Sequence, residues 1–169
     1  IEWVPVVFIT NRTLKSIEKK DLNELADRII KKIKSLHPAN VIPIREIQLD
    51  CDWSAQSQSS FFKLIEFIKN KTNWQISVTI RLHQIKYFER TGVPPADRGM
   101  LMFYNTGDIE DWETQNSILD LSTAKKYLFN FDRYPLELDL ALPVFQWGLI
   151  FRNGRLTKII HQLDEQQLI

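Results

Sequence analysis

The sequence predicts a mainly parallel α/β fold, and within that class an incomplete (β/α)8 barrel of the TIM type, from three observations. Apolar strand-length runs alternate with helix-length segments, which is the pattern of βαβ units. Two of the runs place apolar side chains on one face and polar ones on the other, whereas an open sheet covered by helices on both sides is apolar on both. The chain has 169 residues, and a complete barrel takes roughly 200–250. The prediction is one domain over 1–169, incomplete at one or both ends.

The first strand is Val4 to Thr10, a β-branched and aromatic run closed by Asn11-Arg12-Thr13. A helix follows, because Leu22, Leu25, Ala26, Ile29, Ile30, Ile33 and Leu36 recur at three- and four-residue steps, the spacing of one helix face. Asp21 with Glu24 suits its start. His37-Pro38 ends it, and His37 reads as a solvent-facing C-terminal residue. Ile44 to Trp53 reads as the second strand, and Phe61, Leu64, Ile65 and Ile68 mark the second long helix. Trp74 to His83 is the third strand, and Met100 to Tyr104 the fourth. A weaker helix is expected over about Ser117 to Leu128, and a fifth strand over Leu136 to Phe145. Trp147 to Phe151 extends that strand or begins another. Asn153-Gly154 between Arg152 and Arg155 is a hairpin-turn signal.

Composition narrows the function classes. Hydrophobic residues make up 44% and charged residues 25%, ordinary values for a folded domain. The net charge is +1 with no basic stripe, so nucleic acid is not an expected partner. No apolar run approaches the ~20 residues that span a bilayer. Cys51 is the only cysteine, which excludes an internal disulfide and a C-x-x-C metal site. No cofactor is expected, and the sequence leaves the oligomeric state unknown. The opening Ile1-Glu2-Trp3 runs directly into a strand and reads as a processed or excerpted start.

The candidate site follows from the strand faces. In the second strand Ile47, Leu49 and Cys51 share one face and Glu46, Gln48, Asp50 and Asp52 the other. In the third, Ser77, Thr79, Arg81 and His83 share the polar face. Asp50 and Asp52 fall at a strand end, where barrel sites are built. Two like charges so placed repel, and one carboxyl titrates high unless Arg81 or a metal intervenes. Two readings compete. Either the pair serves chemistry or binding, or Asp50, Asp52 and Arg81 form an ion-pair network that only holds the sheet. Asp50, Asp52 and His83 also form a weak metal-ligand signal, although no metal is expected.

Three short motifs carry a family resemblance. Asp50-Cys51-Asp52-Trp53, Met102-Phe103-Tyr104-Asn105 and Ala141-Leu142-Pro143-Val144-Phe145 with Gly148 resemble, in order and rough spacing, the motifs of the chitinase-like family 18 glycoside hydrolases. That resemblance implies a barrel, a carbohydrate ligand, a bacterial branch, and a periplasmic or cell-surface setting as one option. The family's first motif Asp falls on Ile47 and its acid Glu on Ser54. A serine hydroxyl is too weak an acid to protonate a leaving group, so the family mechanism does not transfer.

The resulting expectation is a carbohydrate-active, glycoside hydrolase-like barrel with Asp50 and Asp52 as its catalytic centre. Trp53, Arg81, His83, Tyr104, Asn105 and Trp147 would bind substrate. The alternatives are a non-catalytic carbohydrate- or protein-binding barrel, and a metal-assisted hydrolase using Asp50, Asp52 and His83. Aromatic side chains suit sugar faces, though core packing is the plainer role for any one tryptophan. Asp108, Glu110, Asp111 and Glu113 read as a solvated helix start that could also supply an acid.

Overall fold

The structure is a computed structural model that describes residues 3–36 and 43–161. His37 lies outside the described residues. Five strands form one sheet in the order β1 (Val6–Phe8), β2 (Glu46–Asp50), β3 (Gln75–Ile80), β4 (Arg98–Met102) and β5 (Leu138–Ala141). Every neighbouring pair is parallel. The predicted strands therefore stand side by side in chain order.

That order has a physical consequence. Parallel crossovers are right-handed, so a sheet whose strands follow the chain without reversal receives its helices on one face. A doubly wound sheet needs a reversal of order, and none occurs here. The crossovers carry α1 (Asn11–Ser16) and α2 (Leu22–Leu36), then α3 (Gln58–Lys71), then the short α4 (Leu82–Lys86) and α5 (Phe88–Thr91), and finally α6 (Leu121–Lys125).

The helix-covered face is the core. Ile47 and Leu49 on β2, and Ile76, Val78 and Ile80 on β3, are fully buried. Against them lie Phe61, Leu64, Ile65 and Ile68 of α3, each at 0% exposure. The α2 stripe is narrower than the sequence suggests. Leu22, Ala26, Ile30 and Ile33 are buried, Leu25 and Ile29 only pack against the core's margin, and Leu36 is exposed. α2 sits over the edge strand β1, where less sheet is available to cover it.

The opposite face carries the polar row. In-register pairing aligns Gln48 with Ser77 and Arg98, and Thr79 with Met100 and Asp139. Arg98 pairs with Asp139 at 3.2 Å. Val6 and Phe8 of β1 share this face and are 58% and 71% exposed.

Three predicted elements need correction. The third strand ends at Ile80, not His83, because Arg81 caps a helical turn: its N–H donates to Gln84 Oε1 at 2.8 Å. Only Leu121–Lys125 of the expected 117–128 helix is α-helical; it starts where Asp120 accepts the Ser122 and Thr123 N–H groups. The acidic stretch is a loop rather than a helix start. There Asp108 and Asp111 accept the N–H groups of Glu110 and Glu113, and all four acids are exposed.

After β5 the chain forms an antiparallel hairpin of β6 (Gly148–Arg152) and β7 (Arg155–Ile160). The segment from Trp147 thus begins a new element. Asn153 and Gly154 both have positive φ, 52° and 72°, the two-residue turn whose twist suits a hairpin.

Candidate functional site

The chain leaves the C-terminal ends of β2, β3 and β4 along three different paths, and these set the site. At the end of β2 the Thr79 hydroxyl of β3 donates to Asp50 Oδ1 at 2.8 Å and accepts the Cys51 N–H at 3.3 Å. Asp50 is half-buried in that bond, and Asp52, two residues on, is exposed in the loop. Beneath them Cys51 is 1% exposed. Burial, with Asp52 and then Asp50 adding repulsion, pushes its thiol up to about 12. It is inert packing, as its apolar face predicts.

The predicted ion-pair network does not form. Among the described residues Arg81 pairs with no carboxylate, and the cation of the polar row is Arg98. Nor do Asp50, Asp52 and His83 gather into a metal site: no three His, Cys, Asp or Glu side chains among the described residues could hold one ion.

What does gather is a hollow of about 220 Å³ at the ends of β3 and β4. It is lined by Arg81, Leu82 and His83 after β3, by Met102, Tyr104, Asn105 and Thr106 along and after β4, and by Thr123 and Tyr127 around α6. Four side chains predicted as binding residues (Arg81, His83, Tyr104 and Asn105) therefore meet in one place. They do so for a different reason than expected, because Arg81 and His83 arrive through the α4 turn and not along a strand.

Local structure fixes this wall. The buried Gln84 side chain ties down the Arg81 N–H, and the Gln84 N–H returns to the Arg81 carbonyl at 2.9 Å. Its Nε2 is one of two buried polar atoms without a hydrogen-bond partner among the described residues; the other is Tyr134 Oη. Asn105 has φ +54°, a left-handed conformation that asparagine tolerates better than most residues and that gathers at functional sites. The Thr106 hydroxyl donates to the Asp120 carbonyl and accepts its N–H at 2.9 and 2.7 Å, which anchors the β4 loop to α6.

His83 also borders a second hollow, with Trp53, Ser54, Ala55, Arg90 and Thr91. The imidazole titrates below its usual value of 6.5. Desolvation is the largest cause; Asp52 opposes it, while Arg81 and Arg90 push the same way. Ser54 bonds weakly to Asn11 Oδ1 and Ser57.

Two predicted substrate residues have other work. Trp53 is 5% exposed, stacks on Phe61 at 5.4 Å, and donates its indole N–H to the Thr91 carbonyl. Phe62 meets it edge-on at 5.9 Å, and with so little of the ring exposed it offers a sugar no broad platform. Trp147 donates to Ser117 Oγ at 3.0 Å and packs on Phe145, which in turn meets Tyr104 edge-on. It reaches Tyr104 only through Phe145 and is not among the residues lining the hollow.

Thr106, Thr123 and Tyr127 were missed by the sequence reading. The Asp120-x-Ser122-Thr123 cap pattern marks where α6 starts and could have located Thr123; nothing local signals that Tyr127 folds back onto β4.

Comparisons with protein families, with curated proteins and with solved structures found no match. No helix among the described residues is long and apolar enough to cross a membrane.

Proposed function

We propose that this domain is a segment of a (β/α)8-type barrel whose strand-end hollow binds a carbohydrate without hydrolysing it. The observation that carries the reading is the convergence of Arg81, His83, Asn105 and the rings of Tyr104 and Tyr127 on one hollow at the C-terminal end of a parallel sheet. Sugars need planar polar groups for their hydroxyls and an aromatic surface for their C–H faces. The volume is below the roughly 300–1,000 Å³ of drug-sized sites and suits a single sugar ring.

The barrel part of the proposal is supported by strand order and by the two faces of the sheet. Apolar side chains left exposed at both edges, Val6 and Phe8 on β1 and Leu140 on β5, are what further strands and helices would cover. The resemblance to chitinase-like family 18 glycoside hydrolases supports the same reading, since Asp52 and Tyr104-Asn105 fall just beyond strand ends.

Binding is favoured over hydrolysis because, among the described residues, no carboxylate lines the hollow and Ser54 replaces the acid. A hydrolytic reading keeps one supporting observation: the exposed Asp52 is near enough to influence His83. A glycan-binding screen run beside a reducing-end release assay separates the two. Binding with no release is the expected result. Release that disappears in Asp52→Asn would replace the proposal with the glycoside hydrolase-like one, and no binding to any glycan would refute both.

A further inference from the structure

Charge inside the hollow is unbalanced. Its nine lining residues include one guanidinium, Arg81, and no carboxylate. Arg81 is half-buried and makes no ion pair among the described residues. The arginine on the next strand behaves differently: Arg98, similarly half-buried, is matched by Asp139 at 3.2 Å. A partly desolvated cation without a counter-charge is costly, and the backbone bonds to Gln84 hold Arg81 at the rim where that cost persists.

Asp50 and Asp120 already have hydrogen-bond partners. Asp50 accepts the Thr79 hydroxyl. Asp120 accepts the hydroxyls of Ser122 and Thr123 and two backbone N–H groups. Asp52 is exposed to solvent. Two further cations lie nearby: Arg90 stacks on Tyr87 at 5.0 Å and borders the second hollow, and Lys86 sits over the Tyr127 ring at 4.9 Å and donates to the Lys126 carbonyl.

We propose that the ligand of this hollow is an acidic sugar, a hexuronate unit whose carboxylate is held by Arg81 while its ring lies against Tyr104 or Tyr127. The inference rests on the carbohydrate reading above and names its substrate class. A guanidinium matches a planar carboxylate with two parallel N–H bonds. Arg81 is the one guanidinium among the lining residues, and a single positive charge balances a monoanion, which favours carboxylate over a doubly charged phosphate. Asn105 and His83 supply further hydrogen-bonding groups for ring hydroxyls.

The test is titration calorimetry with three probes: an oligogalacturonide, its carboxyl-reduced neutral counterpart, and inorganic phosphate. Wild-type protein should bind the oligogalacturonide at least about tenfold more tightly than the neutral glycan, the fold-change expected from one charge-assisted hydrogen bond. Arg81→Gln should erase that preference. Arg81→Lys, which keeps the charge but loses the fork, should retain only part of it. A thermal melt of each variant shows that it is folded. Equal affinity for the acidic and neutral glycans overturns the acidic-sugar inference and leaves the carbohydrate reading standing. Phosphate binding as tight as the oligogalacturonide shows a general anion site and overturns the inference. No binding of either glycan by the wild type overturns both.

Discussion

Replacing Asp52 with asparagine distinguishes a site carboxylate from a structural one. If Asp52 were the buried partner of Arg81, Asp52→Asn would strand a cation and cost about 3–5 kcal/mol. In the structure Asp52 is exposed and, among the described residues, Arg81 pairs with no carboxylate, so the substitution removes one of two neighbouring like charges and little else. The expected change is within about 0.5 kcal/mol, the range of ordinary surface substitutions. Asp50→Asn keeps an amide oxygen able to accept the Thr79 hydroxyl, so its cost should stay near that of one altered hydrogen bond, about 0.5–1.5 kcal/mol. With a urea m-value of about 2 kcal/mol/M, Asp52→Asn shifts the midpoint by less than about 0.3 M, and loss of a buried pair would shift it by about 1.5 M or more. Urea melts followed by tryptophan fluorescence read this directly. A shift above about 1 M for Asp52→Asn would show that Arg81 and Asp52 pair in solution and would refute the separation of site from scaffold.

Phe61→Ala should cost about 3–5 kcal/mol, because a fully buried ring that stacks on Trp53 is lost. Ile29→Ala, at the margin of the core, should cost clearly less than Ile30→Ala in the same melts. Tyr134→Phe should leave stability unchanged or raised, since Tyr134 Oη is buried with no partner among the described residues and its phenol is pushed up to about 12 by burial; a loss above about 1 kcal/mol would mean the hydroxyl is bonded. The last prediction is a pH dependence. His83 in the folded chain protonates below the 6.5 of the unfolded one, so the unfolded state takes the proton first. Its contribution is fully present above pH 6.5 and is lost as the pH falls through the folded value. Stability measured from pH 7.5 to 5 should therefore decline less in His83→Gln than in the wild type.

Much of the scaffold was legible because it is local. The period-two runs at Ile47–Cys51 and Ile76–Ile80 and the α3 stripe of Phe61, Leu64, Ile65 and Ile68 name the buried face directly. The Asn153-Gly154 turn is a two-residue signal and forms as such. Where the strand β3 stops was not legible. Alternation runs on through Arg81 and His83, but Gln84 competes for the Arg81 N–H and turns the chain into α4. The roles of Trp53 and Trp147 were hidden for another reason, since a tryptophan beside a strand end reads alike whether its face meets a sugar or Phe61. The pairing of Asp50 and Asp52 suggested a centre by charge alone. The structure moves the convergence one strand along, to Arg81, His83, Tyr104 and Asn105, because Tyr127 and Thr123 return from α6 to close that hollow.

Glycan binding in the hollow at the ends of β3 and β4 is open to direct observation. Amide chemical-shift mapping on the isotopically labelled domain, titrated with a glycan that binds, tests it most directly. The perturbed amides should cluster at Arg81–His83, Tyr104–Thr106 and around Thr123 and Tyr127. Perturbations centred on the groove between β1 and α2, at Val6, Phe8, Ile29 and Ile33, with none around Arg81, would contradict it.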